Sequence, residues 1–244
     1  MSAISANDQC APLLVFGAHP DDIEFGCGAV IAAETQAGRA AHFVVCSLGE
    51  AGTHGSAEQR RDEACRAAAL LGATIEFVEL DGDSHLEVRA VHAIKLAGII
   101  RRLRASTVLA TTPTENQHSD HARLGQLVRD AARIARYGGL KELIDLPAHS
   151  IERLLFYAVT PDGEPRDLAP ILIDISASEV SRAWVAAMQA HGSQAATRSY
   201  VDLQLTRARL LGARAGIEYA MALYPNEPLV FESLAAAGRG ARNF

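Results

Sequence analysis

One imidazole and three carboxylates stand within six residues, His19-Pro20-Asp21-Asp22-Ile23-Glu24, directly after the apolar run Leu13 to Phe16 and Gly17. His19 and Asp22, three apart on a tight turn, can converge on one ion, and a second group, His118-Ser119-Asp120-His121, can add imidazole nitrogen. Two nitrogens and one carboxylate oxygen suit zinc, and three protein ligands leave a fourth position to water. An open zinc site lowers the pKa of that water to roughly 7, which makes hydroxide available near neutral pH. Asp21, beside a ligand, is placed to take the proton, with Asp22 as the ligand. The same residues also have structural uses. An aspartate before a helix caps it, and histidines on a polar loop are commonly exposed.

The elements around these groups must bring them to one place. Leu13 to Phe16 reads as a buried strand stopped by Gly17, and Glu24 to Ala37 as a helix ending at Gly38. Ala41 to Ser47 is a second strand. The glycine-rich loop Leu48 to Ser56 follows, and Ser56 starts a helix that reaches Leu71 and Gly72. Thr74 to Leu80 is a third strand, with the acidic loop Asp81-Gly82-Asp83 behind it and a helix over Val88 to Arg104. Thr107 to Thr111 is a fourth strand, the loop Thr112 to Ser119 leads into a helix from about Asp120 to Tyr137, and Arg153 to Val159 is a fifth strand. Strands separated by helices of ~10–15 residues imply βαβ units and a parallel sheet, so the fold class is α/β. Both histidine groups then follow the carboxyl ends of strands and share one rim. Beyond Pro161 the spacing predicts a strand at Ile171 to Asp174, helices over Ser178 to Gln189 and Ser199 to Leu223, and a tail, Glu227 to Leu234, fit for an edge strand or strap. Val180, Trp184, Val185 and Met188 read as a core face.

At 244 residues, 49% of them hydrophobic, the chain can build one sizeable core. Its net charge is −6 with Lys and Arg scattered, so it offers nucleic acid no basic stripe. No apolar run approaches the ~18–20 residues that span a bilayer, and Met1 to Cys10 lacks the basic segment and apolar core of a signal peptide. The expectation is a cytoplasmic protein with no membrane span. Cys10, Cys27, Cys46 and Cys65 contain no Cys-Xaa-Xaa-Cys pair and read as buried free thiols. Gly17, Gly26 and Gly28 depart from Gly-Xaa-Gly-Xaa-Xaa-Gly, and acidic side chains fill the turn where a pyrophosphate needs bare amides, which argues against a dinucleotide.

Ala18-His19-Pro20-Asp21-Asp22-Ile23-Glu24, with His118-Ser119-Asp120-His121, resembles the PIG-L (LmbE-like) family of zinc-dependent N-deacetylases. The resemblance continues through Gly49-Glu50, Gly52-Thr53, Gly55-Ser56, Glu58, Arg60, Glu63 and Leu71-Gly72-Ala73. It reaches the C-terminal third at Ala190-His191-Gly192-Ser193-Gln194 and Gly216-Ile217-Glu218-Tyr219-Ala220. It implies a Rossmann-like, mostly parallel sheet flanked by helices, in a single domain over residues 1–244 with a core at about 12–160 and a C-terminal extension at about 161–236. The implied reaction removes an N-acetyl or other N-acyl group from a glucosamine-type sugar conjugate, so the expected partner is a small-molecule N-acyl amino sugar. The resemblance further implies one Zn2+ per subunit on His19, Asp22 and His121, with Asp21 as general base. A protonated His118 would face the developing oxyanion, Asp120 would hold its orientation, and Glu24 would support the turn. The resemblance and the alanine-rich C-terminal helix pair suggest a homo-oligomer.

The C-terminal third most resembles the bacillithiol-type N-acetylglucosaminyl-malate deacetylases. Where that subgroup often carries arginine this chain has His54 and Gln117, so a malate carboxylate would lose a bidentate partner at each. Candidate substrate contacts are His54, Arg60, Gln117 and His191. Pairing with Glu58, Asp62 or Glu63 explains Arg60 equally well, and the dipole at a helix C-terminus explains His191. Two other functions would use the same residues: a sugar-binding protein of this fold without turnover, and a metallohydrolase acting on an ester.

Overall fold

Leu13 and Val15 pack into one hydrophobic layer while Leu14 and Phe16 pack into another, as the two-residue period of a strand requires of a segment buried on both faces. That strand, β1 (Leu13–Gly17), lies in the middle of the sheet in a computed structural model that describes residues 11–115, 117–195 and 199–241. Around it run α1 (Asp22–Gln36), β2 (Ala41–Val45), α2 (Ala57–Leu70), β3 (Thr74–Phe77), α3 (Ala90–Leu103), β4 (Thr107–Thr111), α4 (Ser119–Ile134) and β5 (Arg153–Tyr157). The C-terminal third adds β6 (Ile171–Asp174), α5 (Ser178–Ala190), the single turn α6 (Gly192–Ala195), α7 (Tyr200–Ala215) and β7 (Ala220–Pro225).

The sheet order is β3-β2-β1-β4-β5-β7-β6. Its first five strands are parallel, and β7 runs antiparallel to both β5 and β6. The fold is therefore α/β with a mostly parallel sheet, as the sequence predicts. Chain order reverses between β1 and β4, which opens a crevice at their carboxyl ends where such sheets bind ligands. One layer buries α1 and α5 with Trp184, and the opposite layer buries α3 and α4.

The glycines of the first helix make room for packing, not for phosphate. A Cβ at Gly26 would stand 2.2 Å from the Tyr157 ring, and one at Gly28 2.8 Å from Trp184. Tyr157 fills that space and donates its hydroxyl to the Phe16 carbonyl at 2.8 Å, fixing α1 over β1.

Several sequence expectations need correction. The helix expected over Ser199 to Leu223 stops at Ala215, where Gly216 adopts φ of 67° and ends it in a left-handed cap. Ala220 to Tyr224, all buried, then pair as strand β7. The tail Glu227 to Leu234 contains no strand; the edge is β6. Cys27 and Cys46 are buried but Cys65 is exposed on α2, and Cys10 lies outside the described residues with the rest of the first ten. No helix among the described residues is long and apolar enough to cross a membrane.

Candidate active site

Loops from the carboxyl ends of β1, β3 and β4 build the cluster. From the β1 loop, Asp22 Oδ2 accepts the backbone N–H groups of Ala18 and His19, each at 2.9 Å, which closes the turn on itself. From the β4 loop, His121 is set by two contacts. Thr111 donates its hydroxyl to the His121 carbonyl at 2.7 Å, and Gly125 brings α4 so close to β4 that a Cβ there would stand 2.4 Å from the Thr111 carbonyl oxygen.

The three expected zinc ligands meet. His121 Nε2 is 2.9 Å from Asp22 Oδ1, and His19 Nδ1 is 3.3 Å from His121 Nε2 and 3.5 Å from Asp22 Oδ2. The other ring nitrogen, His19 Nε2, lies 3.3 Å from Asp120 Oδ2 and 3.2 Å from Asp83 Oδ1. Asp22, Asp83 and Asp120 are all buried around the two imidazoles, and Arg123 approaches Asp120 Oδ1 to 3.7 Å from the exposed side. The two-nitrogen, one-oxygen donor set of the His19–Asp22–His121 triangle fits zinc. His19, Asp83 and Asp120 form a second group of possible ligands that shares His19. Carboxylates behind a ligating histidine more commonly orient its ring.

Electrostatics follow the geometry. Burial opposes charge on His19, yet Asp22, with Asp120 and Asp83, holds its pKa well above the imidazole range. Burial would raise Asp22 as well, but His121 and His19 hold it well below the carboxylate range. The hydrogen bond from His19 brings Asp83 down to about 2. Burial, then the charge on Asp22, pushes the Asp21 carboxyl up to about 6, against the pull of His191 and Arg60.

Asp21 does not cap its helix. It stands at the N-cap of α1 with φ of 116°, and its side chain makes no capping hydrogen bond. Positive φ at a non-glycine residue is strained, and such strain gathers at functional sites. Its carboxylate instead faces a cavity of about 320 Å³ lined also by His19, Asp22, Asp83, His118 and His121, with Phe25, Val159 and Tyr200 among its walls.

His118 lines the same cavity at the N-cap of α4, where its Nδ1 accepts the Asp120 backbone N–H at 3.3 Å. The proton of the neutral ring is therefore on Nε2. Burial, then the charges of His19 and His121, lowers the His118 pKa, which favours that neutral form over the protonated one expected from sequence. Asp120 orients His118 through its backbone only. Its carboxylate faces His19 and accepts the Ser84 N–H at 2.7 Å, which corrects the role expected for it.

The four expected substrate contacts divide. Arg60 lines the cavity but is buried, with Nη1 donating to the Gly49 carbonyl at 2.7 Å and Nη2 to the Pro20 carbonyl at 3.1 Å, Nη2 also lying 3.5 Å from Asp21 Oδ2. Gln117 turns its amide inward onto Thr112 and Thr114 and does not line the cavity. His54 is exposed, and among the described residues its carbonyl is engaged by Gln194 Nε2 at 2.9 Å. His191 is sealed from solvent behind the site. Sequence reasoning missed Asp83. Ala51 N–H donates to its carboxylate and Glu50 accepts its own N–H, so two loops hold it against His19. Its place in an acidic loop after a parallel strand was the available signal.

A family model described as PIG-L, GlcNAc-PI de-N-acetylase, matches residues 14–132. An uncharacterized deacetylase of Escherichia coli is 33% identical over 136 residues, which are 53% of this chain and 72% of that protein. The chain belongs to the PIG-L family. A second relative, the 4-oxalmesaconate hydratase of Pseudomonas putida, is 31% identical over 140 residues, 52% of this chain and 54% of the hydratase, so the match spans about half the length of that relative. Among solved structures, a conserved protein of Thermus thermophilus superposes with a TM-score of 0.80 at 28% identity, over 91% of this chain and 97% of the other. The N,N'-diacetylchitobiose deacetylase of Pyrococcus horikoshii shares the fold, with a TM-score of 0.77 at 22% identity over 92% and 87% of the two chains. The PIG-L motif thus extends beyond the first turn to the second histidine group at the start of α4.

Proposed function

We propose that this PIG-L protein is a zinc-dependent N-deacetylase that hydrolyses an N-acetyl, or other small N-acyl, group on a glucosamine-type sugar conjugate. The observation that carries this reading is Asp21: a strained, non-capping carboxylate aimed into the cavity beside the His19–Asp22–His121 triangle. Zinc held by those three residues would polarise the acyl carbonyl and acidify water at the site.

The chain's own residues do the rest. Asp21 takes a proton from the attacking water as the new C–O bond forms, then returns it to the amine as the C–N bond breaks. Arg60 keeps that carboxylate in place from 3.5 Å. His118 donates its Nε2–H to the acyl oxygen as charge gathers there. Asp83 and Asp120 fix the His19 ring from behind, and Phe25 and Val159 shield the reacting groups from bulk water. The family description and the deacetylase relative support the same reaction.

The hydratase relative raises a second reading, addition of water to an unsaturated carboxylate. Among the described lining residues the one lysine or arginine is Arg60, and both its terminal nitrogens hold backbone carbonyls, which leaves a polyanion poorly matched. The test is to incubate zinc-loaded protein with a panel of N-acetylglucosaminides, following acetate by NMR, and with unsaturated di- and tricarboxylates, following loss of conjugated absorbance. Acetate release with stoichiometric zinc is expected. Hydration without acetate release would overturn the reading, and neither reaction with no bound zinc would favour binding alone.

A further inference from the structure

Glu24 and His191 are two ionisable groups with no part in the chemistry above. They are 2% and 1% exposed, and neither lines the cavity. His191 Nε2 lies 3.3 Å from Glu24 Oε2, an ion-pair contact without hydrogen-bond alignment. Glu24 belongs to the first turn of α1, and His191 ends α5. The Glu24 carbonyl also accepts the Trp184 indole N–H at 2.8 Å, so α5 grips that turn at two points.

Asp21 at the N-cap and Glu24 at the third helical position form the sequence pattern of a capping box, in which both side chains fold back onto the free amides of the helix start. Neither does so here. Asp21 makes no capping bond, and the Glu24 carboxylate is drawn away to His191. If Glu24 were released, it could reach back to the Asp21 N–H, the turn could relax, and the Asp21 carboxylate could leave the cavity to accept a first-turn amide.

We propose that His191 is a positioning residue: by holding Glu24, it stops the first turn of α1 from closing a capping box and so keeps Asp21 turned into the cavity. The kinetic arm of its test rests on the deacetylase reading; the structural arm does not. In the zinc-loaded full chain, His191→Leu should lower kcat by about tenfold or more with KM within about twofold and zinc content unchanged. His191→Gln, whose amide N–H can still reach Glu24, should recover most of that loss. A crystal structure of His191→Leu should show Asp21 withdrawn from Arg60 and accepting a first-turn N–H. The proposal is overturned if His191→Leu keeps wild-type kcat, if its loss follows lost zinc, if His191→Gln is equally impaired, or if Asp21 has not moved. Should wild-type protein release acetate from no substrate, the deacetylase reading fails on its own and the crystal structure still decides where Asp21 points.

Discussion

Replacing Asp21 with asparagine should cost activity and add stability. The folded protein raises this carboxyl from 3.8 to about 6, first through burial and then through the Asp22 charge. A raised carboxyl pKa means that ionisation works against folding, so the penalty is absent below pH 3.8 and complete above about 6. The difference corresponds to about 3 kcal/mol at 1.36 kcal/mol per pH unit. Asparagine keeps the shape, tolerates positive φ and carries no charge. Metal-stripped Asp21→Asn should therefore exceed wild type in denaturant stability by about 3 kcal/mol at pH 7.5, and by little at pH 4. At pH 7.5 that gain is roughly 6–12 °C in Tm for a chain of this size. Zinc-loaded Asp21→Asn should still bind metal while kcat falls by about 10²–10⁴, the usual contribution of a general base. Urea melts at both pH values, zinc content by mass spectrometry and acetate release check all three parts. Equal stability of the two proteins at pH 7.5 would refute the electrostatic argument, and turnover within about tenfold of wild type would refute the role of Asp21.

Asp83→Asn should weaken zinc binding by about 10–100-fold without unfolding the chain, because His19 loses one of the two carboxylates behind it; competition against a chromophoric chelator reads this directly. Adding zinc to stripped wild type should raise the melting temperature, by the equivalent of about 2.7 kcal/mol at a hundredfold excess over Kd, and His121→Ala should abolish that rise in calorimetry. Arg101 is buried at the far ends of α3 and α4 from the site, where its guanidinium donates to the carbonyls of Ile134, Ala135, Tyr137, Leu143 and Leu146. Arg101→Met should cost roughly 3–5 kcal/mol in chemical denaturation and leave kcat at 20 °C unchanged.

What the sequence reveals about this protein follows the range of the interactions. β4 and β6 fall where apolar runs and their bounding residues place them, and Ser56 caps α2 as its type predicts, accepting the Gln59 N–H. His19, Asp22 and His121 are legible because each lies in a dense polar motif and the parallel sheet carries both motifs to one rim. Asp83 is not, since its only mark is a position after β3 and its contact with His19 comes from a third loop folding over that ring. In the sequence β7 reads as helix because the helical spacing of α7 runs on past Gly216, and only pairing with β5 and β6 decides its state. His54 and Gln117 stand out by position in a resemblance, whereas the direction in which a side chain points depends on the partners that the folded loop offers it. Gln117 shows this: Thr112 and Thr114 claim its amide.

Deacetylation and hydration make the same first demand, a water molecule deprotonated by a carboxylate beside an acceptor of electrons, and the floor formed by Asp21, His118 and the His19–Asp22–His121 triangle meets it for either. They part at the leaving group. An amide must expel an amine that needs a proton, so the base must be able to hold the proton and give it back. Asp21, on the cavity wall beside the triangle and free of any capping bond, is placed to make that return. An unsaturated carboxylate instead needs cations to hold its charges, and the described wall keeps its single guanidinium occupied with Gly49 and Pro20. If a PIG-L chain of this kind exchanges one reaction for the other, the change should lie in the walls, where a freed arginine would do more than any alteration of the His19–Asp22–His121 triangle.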